Sequence, residues 1–237
     1  SQILNKNIKE NIFLNSFNQI EPVDYIIIAR SDMLFEAERL ANINRDVNGL
    51  NVKVIELQKI YNEFSSGNQD ISAIRNFIRY VYNNSNNNNS LKYLCLFGDA
   101  SYDYKERIPN NTNIIPSWNS LNSFSLSSSY VSDDFFGMMD NGEGLMNNFN
   151  KLDIAVGRIL ADSNNRAKDL VDKIEKYYSQ NSLSDWRNKI IVVSDDLDEP
   201  WENIIQSTSN DIADLITENK PFFNAKKILA DAFNQET

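Results

Sequence analysis

The sequence predicts an α/β fold: a doubly wound, mostly parallel sheet flanked by helices. Three observations carry this. Short continuous apolar runs rich in β-branched residues recur along the chain, as in DYIIIA at 24–29, LKYLCLF at 91–97 and LDIAVGRI at 152–159. Such runs mark strands buried on both faces. Stretches of helical apolar spacing separate them, and strands that alternate with helices of this length pair in parallel through right-handed crossovers. In sheets of this kind ligands gather at the carboxyl ends of the strands, so the loops leaving the strands are where function is sought.

The elements follow in order. After the strand at 24–29, Ala37, Leu40, Ala41 and Val47 recur at helical spacing, and Gly49 stands where a C-terminal cap belongs. Val52 to Leu57 reads as the second strand. Asp70 then caps a helix whose apolar stripe is Ile71, Ile74, Phe77, Ile78 and Val81. NNSNNNNS at 83–90 is a polar low-complexity loop, and Leu91 to Phe97 is the third strand.

From Gly98 to about Asn150 no periodicity persists. Pro109, Pro116 and Ser- and Asn-rich turns interrupt the chain, and a connection this long is usually functional or holds small strands of its own. Tyr130 to Met139 is expected to be one such strand. Leu152 to Ile159 resumes the buried pattern, followed by a helix capped by Asp162 or Ser163 and carrying Ala167, Leu170, Val171, Ile174 and Tyr178. Lys189 to Ser194 is a further strand. Pro200 fits a first helical position, with Trp201, Ile204, Ile205, Ile212, Leu215 and Ile216 as the apolar face, and Phe222 to Leu229 is the last strand.

Composition excludes several classes. With 41% apolar residues among 237, the chain buries a substantial core. Its 23 basic and 33 acidic residues give a net charge of −10, which argues against a nucleic-acid or anionic-membrane surface. No apolar run is long enough to span a membrane, and SQILNKNIKE lacks the order of a signal peptide. The missing initiator Met is what a chain cut from something longer would show. A single cysteine forms no internal disulfide and leaves the redox compartment open.

Candidate chemistry is acidic. The third strand exits through Gly98-Asp99, with Asp103 further along; Asp133, Asp134, Asp140 and Glu143 precede the strand at 152; Asp195, Asp196, Asp198 and Glu199 follow the strand at 189. Carboxylates from adjacent loops could supply the six to eight oxygens calcium takes, with Asp99, Asp103, Asp133 and Asp134 as candidate ligands. No EF-hand spacing is present, and helix capping accounts equally for the run 195–199. Cys95 sits mid-strand between Leu94 and Leu96 in a chain without histidine, so it reads as a small buried hydrophobe. The Ser-His-Asp arrangement also needs the missing imidazole. No P-loop, G-x-G-x-x-G, H-E-x-x-H or paired C-x-x-C occurs. A receiver-like reading, with Asp99 as phosphoacceptor, fits poorly because only one acid, Asp32 beside Arg30, follows the first strand.

Several ordered motifs carry a resemblance. YLCLFGDASYDYKER, NNTNIIPSW, SSSYVSDDFFGMMD, LDIAVGRILADSNNRAKDLVDKIEKYY and IIVVSDDLDEPWE occur in the order found in gingipain-type cysteine peptidases, and the chain resembles that family from DYIIIA at 24 through KKILADAF at 226. The resemblance implies a caspase-like fold, with residues 1–150 forming a first α/β subdomain and 151–237 the start of a second, catalytic one that is truncated before its His and Cys. The family's acidic residue ahead of the Val/Ile-Gly-Arg motif, which orients the catalytic imidazole, falls on Asp153. From the residues alone, that carboxylate could equally be a strand-edge acid paired with Arg158 or a backbone amide.

The expected function is therefore part of a secreted, surface-attached cysteine endopeptidase or sortase that removes C-terminal signals from proteins exported by type IX secretion. The resemblance implies protein or peptide substrates, the remainder of the peptidase chain and other surface secretion proteins as partners, and a place outside the bacterial cell. No cofactor is expected to be required, and a structural calcium is what the acidic loops could hold. The alternative is a non-enzymatic α/β binding domain, a peptidase homologue without a dyad whose loops calcium would stabilise.

Overall fold

The computed structural model describes residues 23–84, 91–122, 124–147 and 149–234. The chain forms two compact units, Ser1–Tyr178 and Ser179–Thr237. This division falls later than the boundary expected at 150/151, because the strand after that boundary joins the first sheet.

The first unit is built on four parallel strands, β1 (Tyr25–Ala29), β2 (Val52–Glu56), β3 (Tyr93–Phe97) and β6 (Ala155–Ile159), in the order β2-β1-β3-β6. The doubly wound α/β architecture is thus present. Ile26, Ile27, Ile28, Leu96 and Phe97 are wholly buried, which is why β1 and β3 read as continuous apolar runs. Each such side chain contributes about 1.5–3 kcal/mol relative to exposure.

The path from β1 to β2 steps one way along the sheet and the path from β2 to β3 steps back. Right-handed crossovers then set α1 (Leu34–Asn48) on one face and α2 (Leu57–Phe64) with α3 (Ile71–Asn84) on the other. α1 packs against α4 (Asn164–Tyr178), and α2 against α3. Arg39 of α1 ties the first pair together, donating to Asp172 and Glu175 of α4 at 2.8 Å each and to Glu36 of its own helix at 2.7 Å.

Two expectations change. Leu57 does not end the second strand: it opens α2, where Leu57, Ile60 and Tyr61 turn inward. The strand expected at 130–139 is only Val131–Ser132 (β5), paired antiparallel with Trp118–Asn119 (β4). The chain then turns through a 3-10 segment at Asp134–Gly137, which buries Phe135 and Phe136 against α3. The tight turn lets both adjacent rings face the core from one side, where a strand covered on one face would expose one of them.

The second unit pairs β7 (Lys189–Ser194) with β8 (Asn224–Leu229) in parallel, joined by α5 (Asn203–Asn219). Pro200 takes the first position of a 3-10 turn leading into α5, and Glu199 and Glu202 form a reciprocal capping box there. The expected apolar face is largely open: Trp201, Ile204 and Leu215 are 65, 69 and 59% exposed, and Ala213 is the buried position of α5. No helix among the described residues is long and apolar enough to cross a membrane.

Candidate active site

Gly98 turns the chain sharply out of β3. A Cβ on it would lie 2.6 Å from Cγ2 of Ile114, so only glycine lets the 114–115 segment close over the strand end. Asp99 then organises that segment. Its carbonyl accepts the Ile114 and Ile115 amides at 3.0 Å each, and its carboxylate accepts the Ala100 amide at 2.9 Å and the Thr112 hydroxyl at 2.8 Å.

Arg158, near the end of β6, locks the same edge. Its Nε and Nη2 donate to the two oxygens of Asp133 at 2.8 and 2.7 Å, while Nη1 donates to the carbonyls of Gly98 at 2.9 Å and Ile115 at 2.7 Å. The register explains the reach, since Leu96 of β3 lies opposite Arg158. One guanidinium thereby joins the exit of β3, the 114–115 loop and the loop before the 3-10 turn.

The four candidate calcium ligands do not come together. Asp99 and Asp133 are engaged as described. Asp103 is buried and accepts the Ile108 amide at 2.7 Å, while Asp134 is exposed and its amide donates to the Ser132 hydroxyl. Among the described residues no three acidic, His or Cys side chains are grouped to hold a metal ion.

Cys95 is buried in β3 and is 4% exposed, although a cleft of about 640 Å³ bordered by Tyr25, Tyr93 and Gly157 runs beside it. Burial pushes its thiol up to about 12, against smaller opposing pulls from the Tyr25 hydroxyl and Arg158. A thiol so raised stays protonated at neutral pH and is no nucleophile.

Asp153 lies apart from these groups. It precedes β6 instead of standing within it, at the amino end of the strand, whereas Gly98 and Arg158 mark the carboxyl edge. Its partner is a backbone amide and not Arg158: the Met139 N–H donates to its Oδ2 at 2.7 Å. In return the Asp153 N–H donates to the Gly137 carbonyl at 2.9 Å. This clasp needs close approach, because a Cβ on Gly137 would lie 2.7 Å from Leu152 Cδ2 and 2.9 Å from the Ile154 carbonyl. The residue as a whole is exposed. Arg75 of α3 was not singled out by its sequence context, which places it inside a regular apolar stripe. It is buried, and its Nε donates to the Met138 carbonyl at 2.9 Å, with the guanidinium 5.5 Å from the centre of the Phe135 ring.

Fold and edge geometry define a doubly wound α/β domain whose strand-exit loops are tied by one arginine. The chain belongs to peptidase family C25, whose model matches residues 18–237. Among solved structures it is similar to dimeric latent PorU from Porphyromonas gingivalis, at 30% identity and a TM-score of 0.60. That match covers 72% of this chain and 17% of the PorU chain, so the chain corresponds to a small part of that protein. Comparison with curated proteins finds no match. The resemblance to gingipain-type peptidases is borne out.

Proposed function

We propose that this chain is a structural part of a cysteine endopeptidase whose nucleophilic Cys and basic His lie outside these 237 residues, and that Asp153 orients the imidazole. The observation that carries the reading is the family match over 18–237, taken with the absence of histidine from the chain. A carboxylate of an exposed residue with one oxygen held by a backbone amide suits the orienting role: it is fixed in direction and keeps its other oxygen for a donor. The imidazole then stands at the amino end of β6, beside the 137–139 turn.

The chemistry follows from that assignment. The imidazole takes the thiol proton, the thiolate attacks the scissile carbonyl, and the leaving amine departs with the proton returned by imidazolium. Water or an amine acceptor then releases the acyl group and regenerates the thiol. The proposed substrates are C-terminal signals of exported proteins, and the proposed place is the bacterial surface or exterior, in keeping with the similarity to PorU.

The test uses the full-length protein and a thiol-directed, peptide-based inactivator. The expected result is labelling at a cysteine other than Cys95, abolished by replacing a histidine beyond this chain and unchanged in Cys95→Ala. The 237-residue chain alone should turn over no peptide. Full-length protein that neither reacts nor cleaves would support the non-enzymatic homologue instead.

A further inference from the structure

We propose that Arg75 is a positioning residue for Asp153, acting through the Met138–Met139 peptide group. The Arg75 Nε–H donates to the Met138 carbonyl at 2.9 Å, and the Met139 N–H donates to Asp153 Oδ2 at 2.7 Å. Carbonyl 138 and amide 139 belong to one planar, conjugated unit. A cation on its oxygen draws electron density from its nitrogen, so the N–H becomes a stronger donor to the carboxylate, and bonds linked in this way reinforce each other.

Packing alone does not call for an arginine here. Arg75 is 8% exposed, and its Nη2 is shut away from solvent with no hydrogen-bond partner among the described residues. An aliphatic side chain would fill the position without leaving a buried donor unmatched. The charged groups acting on Arg75 are Arg79 one turn along α3, Glu143 in the following loop, and Asp153 itself. Burial, and then Arg79, lower the proton affinity of Arg75; Glu143 and Asp153 raise it. The guanidinium is thus held between a like charge on its own helix and the carboxylate it serves. The 3-10 turn at Asp134–Gly137 fixes the geometry, since it packs on α3 and delivers residues 138 and 139 directly after it.

The inference rests on the orienting role given to Asp153, and the experiment separates the two. In the full-length peptidase, Arg75→Met should lower kcat roughly tenfold while KM stays within about twofold, because orientation and not substrate binding is lost. Arg75→Lys, which keeps a cation and a donor for the Met138 carbonyl, should recover most of the activity. Where Arg75→Met does not fold cooperatively, Arg75→Gln retains a donor without the charge and should show the same loss in kcat with KM held within about twofold. Asp153→Asn without activity beside Arg75 variants with parental kcat would overturn the relay alone. Asp153→Asn with parental activity would overturn the orienting role and the relay with it.

Discussion

Arg158 and Asp133 meet in a two-pronged ion pair at 2.7 and 2.8 Å, although they stand 25 positions apart in the chain. The Arg158 side chain is 8% exposed and Asp133 is 25% exposed, so the pair is partly shielded from water. Arg158→Met removes four donated hydrogen bonds at once and leaves the Gly98 and Ile115 carbonyls without that donor. The expected loss of stability is about 2–4 kcal/mol, at the lower side for a buried pair because Asp133 keeps some solvent. Arg158→Lys should recover less than half, since an ammonium cannot reproduce the fork. Urea unfolding of the three proteins decides this, and equal midpoints would refute the role given to Arg158.

Two glycines near β6 should respond oppositely to the same change. At Gly137 a Cβ would meet Val156 Cγ2 at 2.8 Å and the Ile154 carbonyl at 2.9 Å, and backbone cannot move aside cheaply. Gly137→Ala should cost about 1–3 kcal/mol. At Gly157 a Cβ would meet nothing within 4 Å, so Gly157→Ala should be neutral or stabilise by up to about 1 kcal/mol through reduced chain entropy. Thermal melts of the two variants test the contrast, which the sequence alone does not offer: both glycines look equally unremarkable there.

That contrast marks the limit of what the sequence discloses. β1 and β3 are legible because strands covered on both faces need apolar residues at every position, and α3 is legible from its spacing. The hairpin of β4 and β5 is not, because two-residue strands with half-exposed side chains leave no pattern. The partner of Arg158 was equally hidden. Sequence proximity points to Asp153, five residues before it, whereas strand register carries the guanidinium toward Gly98 and Asp133. The resemblance pointed to Asp153, but its clasp with residues 137–139 depends on a turn the sequence presented as strand.

The bridge between α1 and α4 should depend on salt. Arg39 contacts Glu36, Asp172 and Glu175, and its own side chain is 28% exposed. The hydrogen bonds it donates to Asp172 and then to Glu36 raise its proton affinity, so it remains charged at every accessible pH. A partly solvated network of this type contributes about 1 kcal/mol, and screening reduces it. Arg39→Met should therefore destabilise measurably at low ionic strength and by less than half as much in 1 M salt, where the Debye length is about 3 Å. An effect independent of salt would assign the contribution to packing of the aliphatic stem.

Cys95 makes stability depend on alkaline pH. Its thiol, ordinarily near 9.0, is raised to about 12 by burial, so the folded state keeps a proton that the unfolded chain releases. The raised value contributes its full stabilisation below pH 9 and loses it as pH climbs toward 12, at a slope of up to about 1.4 kcal/mol per pH unit. Tyr25, also raised chiefly by burial and adjacent to the thiol, adds a loss in the same direction above its ordinary value of 10.0. Cys95→Ala should cost about 1 kcal/mol at neutral pH through lost packing. It should also flatten the decline between pH 9 and pH 10, where the thiol acts before the phenol. Guanidinium unfolding at pH 7, 9 and 10 measures both effects. A variant that declines as steeply as the parent over that interval would show that the Cys95 thiol already ionises in the folded protein.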